Sequence, residues 1–418
     1  MENSGQIPIR IKIFSVLLVL MPILNQYAIT TLFLMDIVAL IGIVLFFLRG
    51  RHCIKANYAM IIYVLYILLD TVLYSNVLSG VPVSTIVIRV FRVVVIYGFF
   101  FFISDDYFDI GYAFRVYTKV VYISTVIIAF QILMYFITGN DINFLIPGLP
   151  INYGSFATSS ELMHSWHVNA TIGYYRPCSF FLEPAMQAQY VLPWLAISLA
   201  TKQDELGKRP MLKLILVTLG ICCTTSSLGI LCAAILWLIN SCISISKKNT
   251  GKTILAVPIL LVGLLIITNT GILDVDIFNK LSRINSSEGG STTWRLLRGF
   301  ACFKEMPFLN QLIGCGYGNI STFFTQNNIT TIYDAGLTVN SYMNAGSTLL
   351  CSLGLAGFIL YLIAMRKILF SNMKPMKFSI LICLLILVFT SSIFDSAVYF
   401  MVVLFMQQLD YAEIKEHY

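Results

Sequence analysis

The chain has 418 residues, of which 58% are hydrophobic and only 11% are charged, and its mean hydropathy is +0.84. A soluble protein with one core does not have this composition, whereas a polytopic membrane protein does. The net charge of +7 requires no nucleic acid as a partner, because the basic residues are concentrated in loops predicted to face the cytoplasm.

Apolar segments recur along the whole chain and predict an all-α polytopic integral membrane protein, with residues 1–418 forming a single transmembrane domain of about twelve helices. The segments are Ile13–Leu24, Ile29–Leu48, Tyr58–Tyr74, Pro82–Ile103, Thr118–Thr138, Pro184–Ala200, Leu212–Cys223, Leu228–Ile245, Thr253–Thr268, Ala345–Met365, Phe378–Ser392 and Ala397–Leu409. Leu212–Cys223 and Ala397–Leu409 are the shortest, and each is also compatible with a re-entrant or buried helix.

The distribution of Lys and Arg predicts the orientation of the chain. With the N-terminus in the cytoplasm, 19 of the 27 basic residues fall inside, 6 fall outside and 2 lie within a span. This orientation makes residues 139–183 and 269–344 two long extracytoplasmic loops. Loops of this length are usually functional or disordered, and clusters of glycine, aromatic and charged residues favour function here. No internal repeat is visible, which disfavours a secondary transporter built from inverted halves.

The end of the first long loop carries one cation and one carboxylate, Arg176 and Glu183, directly before an apolar helix. Pro184 suits the first turn of that helix, because its missing N–H would have no partner there anyway. A residue before proline is extended, so Glu183 is predicted to lie at the mouth of the helix. The positive end of the helix dipole favours phosphate at such a position.

The second long loop carries two arginines and a glycine-rich run. Arg295 and Arg298 share one face of a helix and, with Trp294 beside them, predict an amphipathic helix at the membrane surface. Further along, Gly314, Gly316 and Gly318 alternate with Cys315 and Tyr317 and are followed by Asn319, and such glycines allow close approach of the backbone to a ligand or a helix. The loop ends at Asn344, where the next helix begins.

Together these residues resemble the O-antigen polymerase family. The run Arg176–Pro184 resembles its R-x-x-G-x-F-x-E-P pattern, with Ser179 where glycine is often found, and Thr224–Gly229 resembles its small-residue turn. Arg295, Pro307 and Gly314–Asn319 are similar to the R…P…G-x-G-x-G-N signature of the wider superfamily of polymerases and O-antigen ligases. The resemblance covers roughly residues 176–357.

One departure separates the two branches of that superfamily. The ligase branch has histidine before Asn, Ser or Gln ahead of its next helix, and here that register gives Met343 and Asn344. Methionine cannot act as a base, so a polymerase is favoured over a ligase.

The resemblance implies a GT-C-like fold and glycosyl transfer at the outer face of the bacterial inner membrane. The donor would be a glycan on undecaprenyl diphosphate, and the acceptor would be a second lipid-linked repeat unit. Arg176, Arg295 and Arg298 would stabilise the leaving diphosphate, and Glu183 would act as the base or orient an arginine. The outer loops contain no metal motif of the DxD type, so we expect no metal and no cofactor. A chain-length regulator and membrane lipids are expected partners.

Further substrate contacts are predicted from the spans and the first loop. Arg89 and Arg92 lie in the outer half of the membrane together with Asp36 and Asp70. They form either a network that ties helices together or a cationic cavity for the lipid diphosphate. Glu161, His164 and His167 have helical spacing, but a metal site is disfavoured without a further ligand cluster, and a solvated face of the loop is the favoured interpretation. His164 and His167 also offer sugar contacts or a fallback base. The glycine run and Asn344 complete the expected substrate-binding set.

Simpler interpretations stand beside each of these. Arg176 and Glu183 would also suit a structural ion pair, Arg295 and Arg298 would suit contacts with lipid headgroups, and the glycine run would suit a plain turn. For the whole chain, the alternatives are a capsule polymerase or ligase of the same superfamily and a non-enzymatic polysaccharide flippase.

Overall fold

The protein is described by a computed structural model over residues 7–29, 32–49, 57–78, 80–151, 168–169, 174–201, 209–246, 293–334 and 342–409. The predicted segment Thr253–Thr268 and the loop residues Glu161, His164 and His167 lie outside these ranges.

Helices dominate the described chain. They are α1 (Ile9–Leu24), α2 (Leu34–Leu48), α3 (Tyr58–Val77), α4 (Val83–Phe102), α5 (Ile110–Thr138), α6 (Pro184–Ala200), α7 (Pro210–Cys223), α8 (Ser227–Ser246), α9 (Gly299–Glu305), α10 (Phe308–Ile313), α11 (Ile320–Gln326), α12 (Ala345–Phe370), α13 (Pro375–Thr390) and α14 (Ala397–Gln408). Every predicted apolar segment within the described ranges coincides with one of them. A single π-helical turn, Trp294–Arg298, leads into α9.

Two short antiparallel ladders are present among the described residues. Strand β1 (Ala28–Ile29) pairs with β2 (Leu32–Phe33), and β3 (Val168–Asn169) pairs with β4 (Tyr174–Tyr175). The first ladder is the reason that α2 begins at Leu34 and not at the predicted Ile29.

Four helices, α3, α4, α5 and α12, are long and apolar enough to cross a membrane by length and composition. The shorter apolar helices are α2, α7, α8, α13 and α14. Large hydrophobic side chains on the outward faces of α2, α3 and α5 are exposed, as expected where lipid replaces water. These features fit an all-α membrane protein, in agreement with the prediction from composition.

Two helices form the centre of the bundle. Almost every side chain of α6 is buried, and so is every side chain from Ala397 to Met406 in α14. A helix that is apolar all round is the kind that packs on every face. The helix α6 packs against α13 and α8, while α14 packs against α1. The start of α6 at Pro184, predicted from proline at the first helical position, is confirmed.

Most of the polar connections gather at one end of the bundle, which we call the site end. It holds the connections 25–33, 139–151, 174–183, 224–226, 391–396 and the described part of 293–344. Contacts between distant segments define it: Gln26 bonds Leu182, Arg176 bonds Thr225, and the Ala345 N–H donates to the Ser391 carbonyl over 2.8 Å. The described parts of the two predicted outer loops therefore lie at the same end.

The helix α12 is broken at Gly354, which has a left-handed backbone with φ of 66°. The break frees carbonyls, and a buried carbonyl must find a donor. The Cys315 N–H donates to Cys351 O and Ser352 O, both over 3.1 Å, and the Gly316 N–H donates to Ser352 O over 2.9 Å. The glycine-rich turn therefore docks on the break and supplies its missing hydrogen bonds.

The break gives a test of the fold. A Cβ at Gly354 would lie 2.4 Å from Leu312 O, at a backbone angle that side chains rarely adopt. We expect Gly354→Ala to lower the free energy of unfolding by more than about 2 kcal/mol, measured as thermal unfolding in detergent. The control Gly98→Ala, in α4 with its nearest neighbour 4.0 Å away, should be neutral or slightly stabilising. Equal effects of the two changes would contradict this description of the break.

Candidate functional site

The segment 176–183 is irregular, and two buried glutamines hold its backbone. Gln131 of α5 accepts from the Ser179 N–H over 2.8 Å and donates to Ser179 O over 3.2 Å. Gln26, directly after α1, accepts from the Leu182 N–H over 2.5 Å and donates to Phe180 O over 3.1 Å. Ser179 has a left-handed backbone with φ of 58°, the conformation that glycine adopts without strain.

Arg176 lies half-buried at the start of this segment and donates through Nε to Thr225 Oγ1 over 3.1 Å. Thr225 belongs to the 224–226 connection, so two segments that were singled out separately in the sequence meet here. Burial raises the pKa of the nearby Cys178 thiol, the Glu183 carboxylate adds to that rise, and the Arg176 charge opposes it. Both charged groups therefore act on the same small region.

Glu183 occupies the N-cap position of α6, the residue directly before the helix. Its backbone is extended, with φ of −142° and ψ of 154°, as predicted for a residue before proline. Its side chain does not cap the helix. In the described ranges of the chain, the half-buried Glu183 carboxylate accepts no hydrogen bond and forms no ion pair. The structural ion pair between Arg176 and Glu183 is therefore not formed here.

Arg295 lies in the π-helical turn and is held by Tyr342. Its Nε donates to the Tyr342 hydroxyl over 2.6 Å, and its guanidinium lies 5.6 Å from the centre of the same ring. Burial alone lowers the pKa of Arg295, but Tyr342 and Glu183 outweigh burial, so the net shift is upward. Burial also raises the pKa of Tyr342, where Arg295 lowers it and Glu183 raises it further. Arg295, Tyr342 and Glu183 thus lie within electrostatic range of one another.

Arg298 points the other way, into the protein. It is 1% exposed, forms an ion pair with Asp334 and donates to Tyr342 O over 3.3 Å. A guanidinium that is buried and paired in this way is poorly placed to reach a lipid diphosphate or a headgroup. This placement favours a structural role in which Arg298 fixes the second loop against the residue that holds Arg295.

Asn344 is a helix cap in the structure. Its side-chain oxygen accepts from the Ser347 N–H over 2.8 Å at the start of α12, and its side-chain nitrogen donates to Arg295 O over 2.5 Å. The predicted substrate contact would compete with these bonds. Asn344 instead connects the position of Arg295 to the first turn of α12.

The glycine-rich turn lies beside α3 and α4, with Arg89 against it. Arg89 donates through Nη2 to Gly318 O over 2.7 Å and through Nη1 to Asn319 Oδ1. The buried Asn319 also donates to Ser75 over 3.1 Å. Gly314, Gly316 and Gly318 all have positive φ, between 78° and 91°. The turn conformation and the docking on α12 account for these glycines without a ligand.

Arg92 forms an ion pair with Asp36 at 3.2 Å and lies 4.4 Å from the centre of the Phe33 ring. This pair connects α4 to α2 and matches the predicted alternative of a network that ties helices together. Tyr317 lies beside Asp395, which also accepts a hydrogen bond from Tyr97. The predicted residues therefore form two groups, one around Arg176, Glu183 and Arg295 and one around Arg89, Arg92 and the glycine-rich turn.

Several residues of both groups were missed by the sequence analysis. They are Gln26, Gln131, Thr225, Asp334, Tyr342 and Asp395. Thr225 lies within the turn Thr224–Gly229, and Tyr342 lies two residues before Asn344. Asp395 is an acidic residue between two apolar segments. Gln26 and Gln131 carry the weaker signal of an uncharged polar residue within or directly after an apolar helix, which usually marks a buried hydrogen bond.

Comparison with known proteins assigns no family to the chain. No family model matches the sequence. No curated protein matches it at a significant level. The geometry of the site end therefore carries the functional argument.

The Arg298–Asp334 pair gives a test of the structural role of Arg298. Asp334→Ala leaves a buried guanidinium without its carboxylate, so we expect a loss of about 3 kcal/mol in the free energy of unfolding. The exposed Asp106, at the opposite end of the bundle, gives the control Asp106→Ala, which should change stability little. Thermal unfolding of both variants in detergent is the measurement, and an unchanged Asp334→Ala would show that the pair is dispensable.

Proposed function

We propose that the chain is a glycosyltransferase of the O-antigen polymerase type, which transfers an undecaprenyl-diphosphate-linked glycan onto another lipid-linked repeat unit. The observation that carries the proposal is that Glu183, at the end of segment 176–183, lies within electrostatic range of Arg295 and Tyr342 of the second loop. Together this segment and the second loop bring two guanidinium groups and one carboxylate into electrostatic range. The family resemblance suggests the reaction, and this electrostatic proximity supports placing its site here.

The reaction has two requirements, and the site offers a group for each. An acceptor hydroxyl attacks the anomeric carbon, and the bond from that carbon to the diphosphate oxygen breaks. The proton of the hydroxyl must go to a base, for which Glu183 is suited because its carboxylate accepts no hydrogen bond in the described chain. The electron pair goes to the diphosphate, whose growing charge Arg176 and Arg295 would stabilise.

Arg298 enters the proposal in a different role from the one expected from the sequence. It would position the second loop through Asp334 and the Tyr342 backbone, and Asn344 would do the same from α12. Arg89, Arg92 and the turn from Gly314 to Asn319 would hold the helices around the site, with direct contact to the lipid diphosphate as the less supported alternative. The bacterial inner membrane and an outward-facing site remain part of the proposal.

The first functional test replaces the proposed base. We expect Glu183→Gln to lower turnover by about 10²-fold or more, because the amide cannot accept the proton. The assay is surface-polysaccharide chain length in a strain that lacks the chromosomal gene, with membrane-fraction immunoblots to confirm equal expression. The matched control Glu305→Gln changes an exposed carboxylate on α9 and should leave chain length unchanged.

The same assay separates the proposed class from its alternatives. A strain lacking a polymerase retains single repeat units on its surface, whereas a strain lacking a flippase displays none. Full-length chains with Glu183→Gln, or with Arg176→Ala and Arg295→Ala in turn, would refute the site.

The second functional test concerns the group that holds Arg295. Tyr342→Phe keeps the ring beneath the guanidinium and removes only the hydroxyl that accepts from Nε. We expect turnover to fall by about tenfold or more, since a mobile arginine stabilises charge less well, with the unfolding temperature close to that of the wild type.

Tyr333 of the same loop supplies the control for this test. Its hydroxyl has no hydrogen-bond partner among the described residues, so Tyr333→Phe should have no effect on chain length. Loss of thermal stability in Tyr342→Phe with unchanged turnover per folded molecule would assign the hydroxyl to folding alone.

A further inference from the structure

The backbone of segment 176–183 depends on side chains from outside the segment. It forms the end of the first long loop, directly before α6, and among the described residues its one backbone–backbone bond between Arg176 and Leu182 is the turn bond from the Phe181 N–H to Cys178 O. Its residues are nevertheless mostly buried, with Cys178 and Ser179 at 0% exposure. Buried backbone groups need partners, so whatever supplies them also sets the path of the chain.

Gln131 is the first such partner. It is 0% exposed, and its amide accepts from the Ser179 N–H and donates to Ser179 O, which copies the pairing of two strand residues. The same nitrogen donates to Ile142 O over 2.8 Å, at the start of the long loop. One side chain therefore joins the first and last parts of that loop.

Gln26 is the second partner and approaches from another helix. It is 5% exposed and accepts from the Leu182 N–H while donating to Phe180 O and, over 3.0 Å, to Ile23 O. Together the two amides fix residues 179, 180 and 182. These positions lie between Arg176 and Glu183, so the amides set the separation of those two charges.

We propose that Gln26 and Gln131 are positioning residues, which hold Arg176 and Glu183 at the separation that transfer to a sugar hydroxyl requires. This inference rests on the proposed function for the roles of the two charged groups. The glutamines themselves touch no substrate and act through the backbone of the segment. Their amides suit this task because each offers an acceptor and two donors that stay uncharged at any physiological pH.

The test uses the full-length protein in its membrane and a reporter within the segment. Cys178 is a buried cysteine between the two charged residues, so alkylation of its thiol by a maleimide reports opening of the segment. Mass spectrometry of the Cys178 peptide measures the rate, and the buried Cys302 of the second loop is the internal reference. Gln131→Met keeps the volume of the side chain and removes its hydrogen bonds.

We expect alkylation of Cys178 in Gln131→Met to be about tenfold faster or more, with alkylation of Cys302 unchanged and polysaccharide chains shortened.

Gln187→Met is the matched control. Gln187 is 1% exposed on α6, its side chain bonds Ser124 at 3.5 Å, and among the described residues that side chain makes no bond to segment 176–183. It should leave both readouts at the wild-type level. Gln26→Met repeats the test from the other side if Gln131→Met fails to accumulate.

A second substitution checks that the backbone path is what matters. Ser179 holds a left-handed conformation that glycine adopts freely, so Ser179→Gly combined with Gln131→Met should recover at least part of the protection and of the chain length. General destabilisation of the bundle would not be reversed in this way.

The outcomes separate the inference from the function on which it rests. Alkylation equal to that of Gln187→Met would overturn the positioning role while leaving the proposed polymerase intact. Faster alkylation with full-length chains would overturn the positioning role alone, because the use of Arg176 and Glu183 in transfer is tested separately by Arg176→Ala and Glu183→Gln.

Discussion

The structure depends on one constraint: polar backbone groups at the site end of an apolar bundle must be paired inside the protein. Lipid offers no hydrogen bonds, so every departure from a helix needs partners from other segments. Two departures matter most, the segment 176–183 and the break of α12 at Gly354. Gln26 and Gln131 satisfy the first, and the amides of Cys315 and Gly316 satisfy the second. The residues proposed for glycosyl transfer lie on or near these two irregular segments.

This constraint also explains why Arg295 and Arg298 have different partners and different burial. Arg295 and Arg298 are three residues apart, but the π-helical turn directs one toward the Tyr342 hydroxyl and the other toward Asp334. Tyr342 connects the two, because its hydroxyl accepts from Arg295 and its carbonyl accepts from Arg298. The buried pair of Arg298 and Asp334 therefore helps to hold Tyr342, the residue that binds the half-buried Arg295. A π-turn at such a position is a common mark of a functional site, since it changes which side chains face a pocket.

The features that follow local rules could be predicted from the sequence. Pro184 gave the start of α6 and the extended backbone of Glu183, and the apolar runs gave the helices. Ser179 stands where the O-antigen polymerase pattern often has glycine. The left-handed backbone at this position, with φ of 58°, does not follow from any local rule. The partners of the arginines are distant in the sequence: 49 residues separate Arg176 from Thr225, 36 separate Arg298 from Asp334, and 56 separate Arg92 from Asp36. Such pairings depend on how helices pack, and a single sequence does not contain that information.

The two groups of predicted residues differ in whether their charged side chains are already bonded within the protein. In the group around the glycine-rich turn, Arg89 is bonded to Gly318 and Asn319, and Arg92 is paired with Asp36. In the group around α6, the Glu183 carboxylate has charged neighbours in range but accepts no hydrogen bond within the described chain. A half-buried carboxylate that accepts no hydrogen bond from the described residues retains its capacity to accept a proton. The proposed glycosyl transfer is therefore better assigned to the group around α6, and the glycine-rich turn is better assigned to the structure that holds the helices around that group.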